Sequence, residues 1–177
     1  MKKLLAAEQV KEALDRLYGS VVKNLPKESP IAVIGIRTRG ETLAGRIVKR
    51  LGREKPGLRV DHGVLDITFY RDDLSRRRGA PLVRATEIEF DLDDAWVLLV
   101  DDVLQTGRSA RAALDALADF GRPKVVRLAV LIDRGGHEVP IAADFVGRKV
   151  KARAGQRIQV RLKEIDGEEG VFIVSQS

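Results

Sequence analysis

VLLVDDVLQTGRS, residues 97–109, decides the reading of this chain. Four apolar residues run into adjacent aspartates, Asp101 and Asp102, and then into a small polar turn. Two like charges at the end of a buried strand repel, and each resists leaving water. Something must compensate. Val103, Leu104, Gln105, Thr106, Gly107, Arg108 and Ser109 lead from the aspartates into a helical segment, SARAALDALADFG. A helix N-terminus offers free backbone N–H groups and a partial positive charge. Gly107 lets a ligand approach the backbone closely, and Thr106 and Ser109 add hydroxyls. This is an anion cradle suited to a phosphate monoester. Carboxylates accept hydrogen bonds from vicinal hydroxyls, so the two parts together ask for a sugar phosphate, ribose 5-phosphate being the obvious case. Ligand hydroxyls, and Mg²⁺ through water, would offset the repulsion.

Working outward, strand and helix patterns alternate through about residue 132. AAEQVKEALDRLYGSVVKN carries Val10, Ala13, Leu14, Leu17 and Val21 at helical spacing. IAVIGI (31–36) is a short apolar strand, and TRGETLAGRIVKRL returns to helical period with Gly52 as its expected stop. VDHGVLDITFY (60–70) is rich in strand formers. RDDLSRRRGAP (71–81) has no apolar period and reads as a mobile charged loop. TEIEF and WVLLV (96–100) read as a strand pair joined by DLDD, and Gly121 is expected to end the next helix. VVRLAVLIDRGG is another strand and turn. After Pro140, ADFVG, RIQVRL and VFIV are three short strands. The alternation predicts an α/β fold, a mostly parallel twisted sheet flanked by helices, in one domain spanning 1–177. The segment 140–177 is expected to add strands at an edge or end. Open sheets of this kind bind ligands at the carboxyl ends of their strands, where the 101–109 turn lies.

The bulk numbers set bounds. The 177 residues are 44% hydrophobic and 33% charged, as in soluble globular proteins. No apolar run reaches membrane-spanning length, and the N-terminus turns charged too soon for a signal peptide. Without cysteine there is no disulfide framework and no thiolate metal site, so the expected location is cytoplasmic. The formal charge of +6 permits attraction to nucleic acid and to phosphorylated small molecules. No G-x-x-x-x-G-K-[ST] loop is present, which excludes a Walker A site. A receiver-type acidic pocket would place its Asp-Asp after the first strand, not past mid-chain. His62 and His137 stand in no metal or triad spacing and take no catalytic role.

Residues 97–109 resemble the thirteen-residue phosphoribosyl-diphosphate signature of type I phosphoribosyltransferases. GIRTRGETLA, LDITFYRDDLS, VLLVDDVLQTGRSARAALDAL, GRPKVVRLAVLIDRGG and VPIAADFVG are together similar to the PyrR family of pyrimidine-operon regulators with uracil phosphoribosyltransferase activity. The likeness covers nearly the whole chain. It implies the type I phosphoribosyltransferase fold and the conversion of uracil and phosphoribosyl diphosphate to UMP and pyrophosphate, with Mg²⁺. It also implies roles. Asp101 and Asp102 hold the ribose hydroxyls, and Val103 to Ser109 wrap the 5′-phosphate. Thr38, Arg39 and Gly40 form the pyrophosphate loop. Arg71, in the loop 71–81, folds over the site and excludes water. Arg134 lies beside the base and Ile158 packs on it. Read without the resemblance, Arg39 is a solvated arginine at a strand end, Asp72 and Asp73 balance Arg71, Arg76, Arg77 and Arg78, and Arg134 pairs with Asp133 or another carboxylate.

The resemblance further implies binding of pyrimidine-operon leader RNA with UMP or UTP as co-regulator. Lys11, Arg16, Lys23, Arg148 and Lys149, with Lys151 and Arg153, would supply the cations, presented twice by a homodimer or higher homo-oligomer. The family pattern carries arginines where this chain has His137 and Ala142, and residues 148–152 also depart from it. Two other readings stay open: a purine or orotate phosphoribosyltransferase without an RNA role, because the phosphate turn does not choose the base, and an RNA regulator that only senses the nucleotide.

Overall fold

The computed structural model describes residues 1–74, 84–153 and 155–175. Five parallel strands form the main sheet: β2 (Ile31–Ile36), β3 (Val60–Leu65), β4 (Trp96–Leu104), β5 (Val125–Asp133) and β6 (Phe145–Lys149). Their spatial order is β3-β2-β4-β5-β6, so β4 lies at the centre and carries the acidic pair at its carboxyl end. Helices α1 (Ala7–Lys23), α2 (Arg39–Glu54) and α3 (Arg108–Leu117) complete this layer. A second, antiparallel sheet joins β1 (Lys2–Leu5) to β8 (Gly170–Ser175) and β7 (Gln156–Arg161), with the short α4 (Lys163–Asp166) between β7 and β8. This is the type I phosphoribosyltransferase architecture expected from the sequence.

Strand alternation divides the core in two. Trp96, Leu98 and Val100 of β4 face one cluster, built with Leu17 of α1, Leu43 and Ile47 of α2, and Ile158 and Val160 of the small sheet. Val97 and Leu99 face the other, against Ala110, Ala112, Ala113 and Ala116 of α3. The small alanines let α3 pack close to the sheet, and burial of both faces explains the unbroken apolar runs of β2 and β4. The same alternation sends the next two residues to opposite sides: Asp101 continues the Val97–Leu99 row, and Asp102 the Leu98–Val100 row.

Several boundaries differ from the sequence expectation. Gly52 does not stop α2, which runs on to Glu54; the cost of a helical glycine, about 1 kcal/mol, is small beside the burial of Leu51. The helix after the cradle ends at Leu117, and Gly121, at φ +147°, lies beyond the turn that follows. VDHGVLDITFY is not strand throughout: β3 ends at Leu65, and Thr68–Tyr70 form a 3₁₀ turn. TEIEF does not pair with β4. Its only bridge among the described residues joins Glu87 to Val64 of β3, antiparallel, and its alternation reflects Ile88 and Phe90 packing on the α3-side core. KKLL at the N-terminus, by contrast, is a strand, because β8 supplies its partner. Residues 75–81 of the expected loop 71–81, including Arg76, Arg77 and Arg78, lie outside the described residues.

Candidate functional site

Asp101 stands at the junction of two cavities over the carboxyl end of β4, and Asp102 lines the first of them. The first, about 390 Å³, is lined by both aspartates, by Thr38, Arg39, Arg71, Val103 and Ser109, and by Arg37, Asp66 and Arg84. The second, about 230 Å³, is lined by Asp101, Arg71, the stretch Val103 to Gly107, Ser109, Arg157 and Ile158. Asp101, Arg71, Val103 and Ser109 border both, so the two are compartments of one site. The first presents four arginines; the second presents two, Arg71 and Arg157, with hydroxyls, the backbone of the turn and the aliphatic Ile158.

The electrostatics answer the question of the paired carboxylates. Burial is the main force raising both carboxyls above their ordinary range. The neighbouring Asp102 charge pushes Asp101 further up, and Arg71 draws it partly back. For Asp102 the counterweights are its hydrogen bond with Asp101 and the positive charge of Arg39. Backbone donors help: Asp102 N–H donates to Asp101 Oδ1 at 2.8 Å, and Val103 N–H to Asp102 Oδ1 at 2.9 Å. The charge of Arg71 thus favours the ionised form of Asp101 and that of Arg39 the ionised form of Asp102, although the two arginines make their hydrogen bonds to Asp73 and Asp166. The compensation is incomplete, and a ligand offering hydroxyl donors or cationic charge completes it.

The strand, turn and helix start expected at the cradle are present. β4 runs to Leu104, the chain turns through Gln105 and Thr106, and Gly107 adopts φ +88° at the N-cap of α3. A Cβ at Gly107 would lie 2.7 Å from Val139 Cγ2, so both the backbone angle and the space call for glycine. Glu138 and Val139 donate backbone N–H groups to the Thr106 carbonyl at 2.9 and 3.2 Å and fix the turn. Arg108 points outward, to Asp72 at 2.7 Å and Glu138 at 3.2 Å, and lines neither cavity.

Gly40 also has a structural reason. A Cβ there would meet the Val100 carbonyl at 2.4 Å, so the first turn of α2 presses directly on β4. This contact carries Thr38 and Arg39 beside the aspartates; the Arg37–Thr38 peptide is cis. Arg37 is braced by Glu41 at 2.9 Å and Glu87 at 2.6 Å. Arg39 is not a free surface arginine: it pairs with Asp166 of α4. Arg71 pairs with Asp73 through two hydrogen bonds, at 2.9 and 3.0 Å. Asp72 instead takes Arg108, so the acidic residues after Arg71 have separate partners.

Ile158 forms a wall of the second cavity. Arg134 lines neither cavity and does not pair with Asp133. Its Nη1 donates to the Gln156 carbonyl at 3.0 Å, and its Nε is buried without a hydrogen-bond partner among the described residues. Asp133 instead accepts from Gly135 N–H at 2.9 Å and meets His137 Nε2 at 3.1 Å. Lys11, Arg16, Lys23 and Lys149 are exposed and Arg148 is half-buried. Arg16 reaches the Gly147 carbonyl of β6 at 3.4 Å, which brings α1 and the Arg148–Lys149 strand into one surface. Lys23, seven residues on, shares the Arg16 stripe, whereas Lys11 lies roughly 140° around the helix from Arg16.

Arg37, Asp66, Arg84, Arg157 and Asp166 escaped the sequence reading. Asp66 had a signal, since it follows the carboxyl end of a parallel strand. Its carboxylate accepts from the Thr68 hydroxyl and the N–H groups of Thr68 and Arg84; these bonds outweigh burial, which acts in the opposite sense, and hold its pKa below the ordinary range. Arg157 and Asp166 reach the site from the small sheet, and no local pattern announces them. The carboxylates lining the first cavity are Asp66, Asp101 and Asp102; among the described residues no group of three His, Cys, Asp or Glu could cage an ion. That set fits a hard cation that keeps water and shares phosphate oxygens of the ligand, as Mg²⁺ does.

A family model described as a phosphoribosyl transferase domain matches residues 1–164. The Bifunctional protein PyrR of Roseiflexus sp. (strain RS-1) is 52% identical over 174 residues, covering 98% of this chain and 94% of the relative. The Bifunctional protein PyrR of Thermus aquaticus is 48% identical over 168 residues, covering 95% and 92%. Among solved structures, a hypoxanthine phosphoribosyltransferase from Staphylococcus aureus aligns with a TM-score of 0.67 at 16% identity, covering 99% of this chain and 91% of that one. At that identity the likeness concerns the fold alone. Fold, site and relatives agree: the chain belongs to the phosphoribosyl transferase domain family and, within it, to the PyrR family.

Proposed function

We propose that this protein converts uracil and phosphoribosyl diphosphate to UMP and pyrophosphate, and that it regulates pyrimidine genes by binding their leader RNA in response to UMP or UTP. The observation that carries the enzymatic reading is the division of the site: an arginine-lined compartment for diphosphate and a backbone cradle for the 5′-phosphate, with Asp101 shared between them and Asp102 beside it at the place of the ribose.

Loss of pyrophosphate from C1 leaves positive charge on the ribose ring. Asp101 and Asp102 orient the ribose by accepting from its hydroxyls, and their negative charge favours the cationic transition state. Thr38, Arg39 and Arg71 receive the departing diphosphate, with Arg37 and Arg84 beside them. Val103 to Ser109 hold the 5′-phosphate and so fix C1 against the incoming base. Ile158 supplies the apolar wall on which a pyrimidine ring packs, and Arg134 stands behind it. Uracil N1 needs no side-chain base if hydrogen bonds in the pocket favour its reactive tautomer. Asp101 and Asp102 would hold Mg²⁺, which supplies charge neutralisation for the diphosphate.

For the second activity, Arg16, Lys23, Arg148 and Lys149 form the core of the RNA-binding surface, with Lys11 at its margin. A homodimer doubles that surface, and binding is expected to weaken steeply with salt. No described helix is long and apolar enough to cross a membrane. We place the protein in the cytoplasm with its substrates, uracil and phosphoribosyl diphosphate.

Incubation with phosphoribosyl diphosphate, Mg²⁺ and one base at a time tests the enzymatic reading. UMP formed from uracil, and no nucleotide from hypoxanthine or orotate, is the expected result. Turnover of a purine or orotate without turnover of uracil would overturn it. Retention of a leader hairpin that tightens with UMP tests the regulatory half; equal binding with and without the nucleotide would refute it.

A further inference from the structure

Among the described residues, Arg39 is the one arginine of the diphosphate compartment held from the small-sheet segment. Its Nη2 donates to Asp166 Oδ1 at 2.7 Å and its Nε to Asp166 Oδ2 at 3.3 Å. Both side chains are largely sheltered, at 27% and 16% exposure. Asp166 is itself fixed, because its Oδ2 also accepts the Leu162 N–H at 2.8 Å and its N–H donates to the Leu162 carbonyl at 2.7 Å. Burial pushes the Asp166 carboxyl upward, but the bonds from Arg39 and Leu162 outweigh it and keep the group ionised. A second contact lies about two helical turns along α2: Arg46 bonds Glu164 of α4 and Glu169 just before β8, with separations of 2.6 to 2.9 Å. Arg46 lines neither cavity, whereas Arg39 lines the first.

A guanidinium has five donors in a rigid plane. Asp166 engages the Nε–Nη2 edge, and Nη1 makes no hydrogen bond to a described residue. Holding one edge fixes the plane and so aims the remaining donors. An arginine left to its own rotamers would lose that orientation each time a ligand arrives, and ordering it then opposes binding. The Arg46 contact braces the two elements without touching the cavity. The two ion pairs therefore separate a positioning role from a bracing role.

Resting on the reading of Thr38, Arg39 and Gly40 as the diphosphate loop, we infer that Asp166 is a positioning residue that presets Arg39 for the diphosphate group. The small sheet thus serves the leaving-group end of the site as well as the base wall at Ile158.

The test compares six proteins: the wild type, Arg39→Gln, Asp166→Asn, Asp166→Ser, the double variant Arg39→Gln/Asp166→Asn, and the double variant Glu164→Gln/Glu169→Gln. Asparagine keeps an oxygen for the Leu162 N–H, and Asp166→Ser serves as a second variant that can also cap. The readouts are pyrophosphate affinity by calorimetry, KM for phosphoribosyl diphosphate, KM for uracil, and the melting temperature. Asp166→Asn is expected to weaken pyrophosphate and raise KM for phosphoribosyl diphosphate roughly tenfold, with KM for uracil unchanged. Arg39→Gln has at least that effect, and adding Asp166→Asn to it has no further one. The Arg46 brace variant lowers the melting temperature and leaves pyrophosphate affinity intact. Unchanged pyrophosphate affinity in Asp166→Asn, with loss in Arg39→Gln, would overturn the inference alone. So would an equal loss in the brace variant. If Arg39→Gln binds pyrophosphate normally, the diphosphate reading itself falls and the inference with it.

Discussion

The two compartments of the site are built in opposite ways. The phosphate cradle comes from one continuous stretch, where a central strand, a turn and a helix start follow each other from Val97 to Ser109. The arginine compartment is assembled from the end of β2, the start of α2, the segments after β3 and a carboxylate from α4. A contiguous site depends on backbone geometry and on a few glycines. An assembled site depends on side chains held by partners far away in sequence. The first should be sensitive to local backbone change, the second to charge removal at a distance.

The largest effect is expected where the compartments meet. Asp101→Asn and Asp102→Asn should each lower turnover about 100-fold or more, while the double variant falls well short of the product because the pair acts as a unit. Steady-state kinetics with uracil check this; near-normal rates would remove the carboxylates from the mechanism. A pH effect of opposite sense accompanies it. Burial first, and then the Asp102 charge, raises the Asp101 carboxyl in the folded state. Between the unfolded and folded pKa values the folded state binds more protons, so stability falls as pH rises. Asp101→Asn removes that loss. The ligand-free variant should therefore be more stable than wild type at neutral pH, and equal to it below the ordinary carboxyl range. Denaturation at the two pH values measures both; a variant less stable than wild type at neutral pH would contradict the unfavourable pairing.

Next come the backbone tests. Gly107→Ala meets both a φ of +88° and the Val139 side chain, for a cost of about 1–3 kcal/mol. It should weaken UMP and leave pyrophosphate affinity nearly unchanged, which calorimetry resolves. Equal weakening of both would mean that the compartments do not act separately. The smallest effect is ionic. Pyrophosphate affinity should fall more steeply than UMP affinity between roughly 50 and 200 mM salt, since its receptor is arginine and not backbone. Parallel slopes would blur the distinction.

The contrast also explains what the sequence disclosed. The cradle was legible because its parts are adjacent and each has a local signature: apolar run, acidic pair, glycine turn. The alternation of β4 even assigns the aspartates to opposite faces. The arginine compartment was legible only in part. Arg39 and Arg71 sit in recognisable contexts, but Arg84 and Asp166 are brought in by tertiary packing, and a lone arginine or aspartate in a charged segment carries no signature. β1 was hidden for the same reason, since four residues of KKLL become a strand only through β8. TEIEF misled in the other direction, as a period of two that reports packing of Ile88 and Phe90 and not ladder pairing. Leu51 outweighed the stop signal at Gly52.

A crystal structure with UMP bound tests the central claim most directly. The 5′-phosphate should lie against the backbone N–H groups between Leu104 and Ser109, with the ribose hydroxyls on Asp101 and Asp102 and the uracil ring against Ile158. Nucleotide bound elsewhere, with no anion in that turn, would contradict the account.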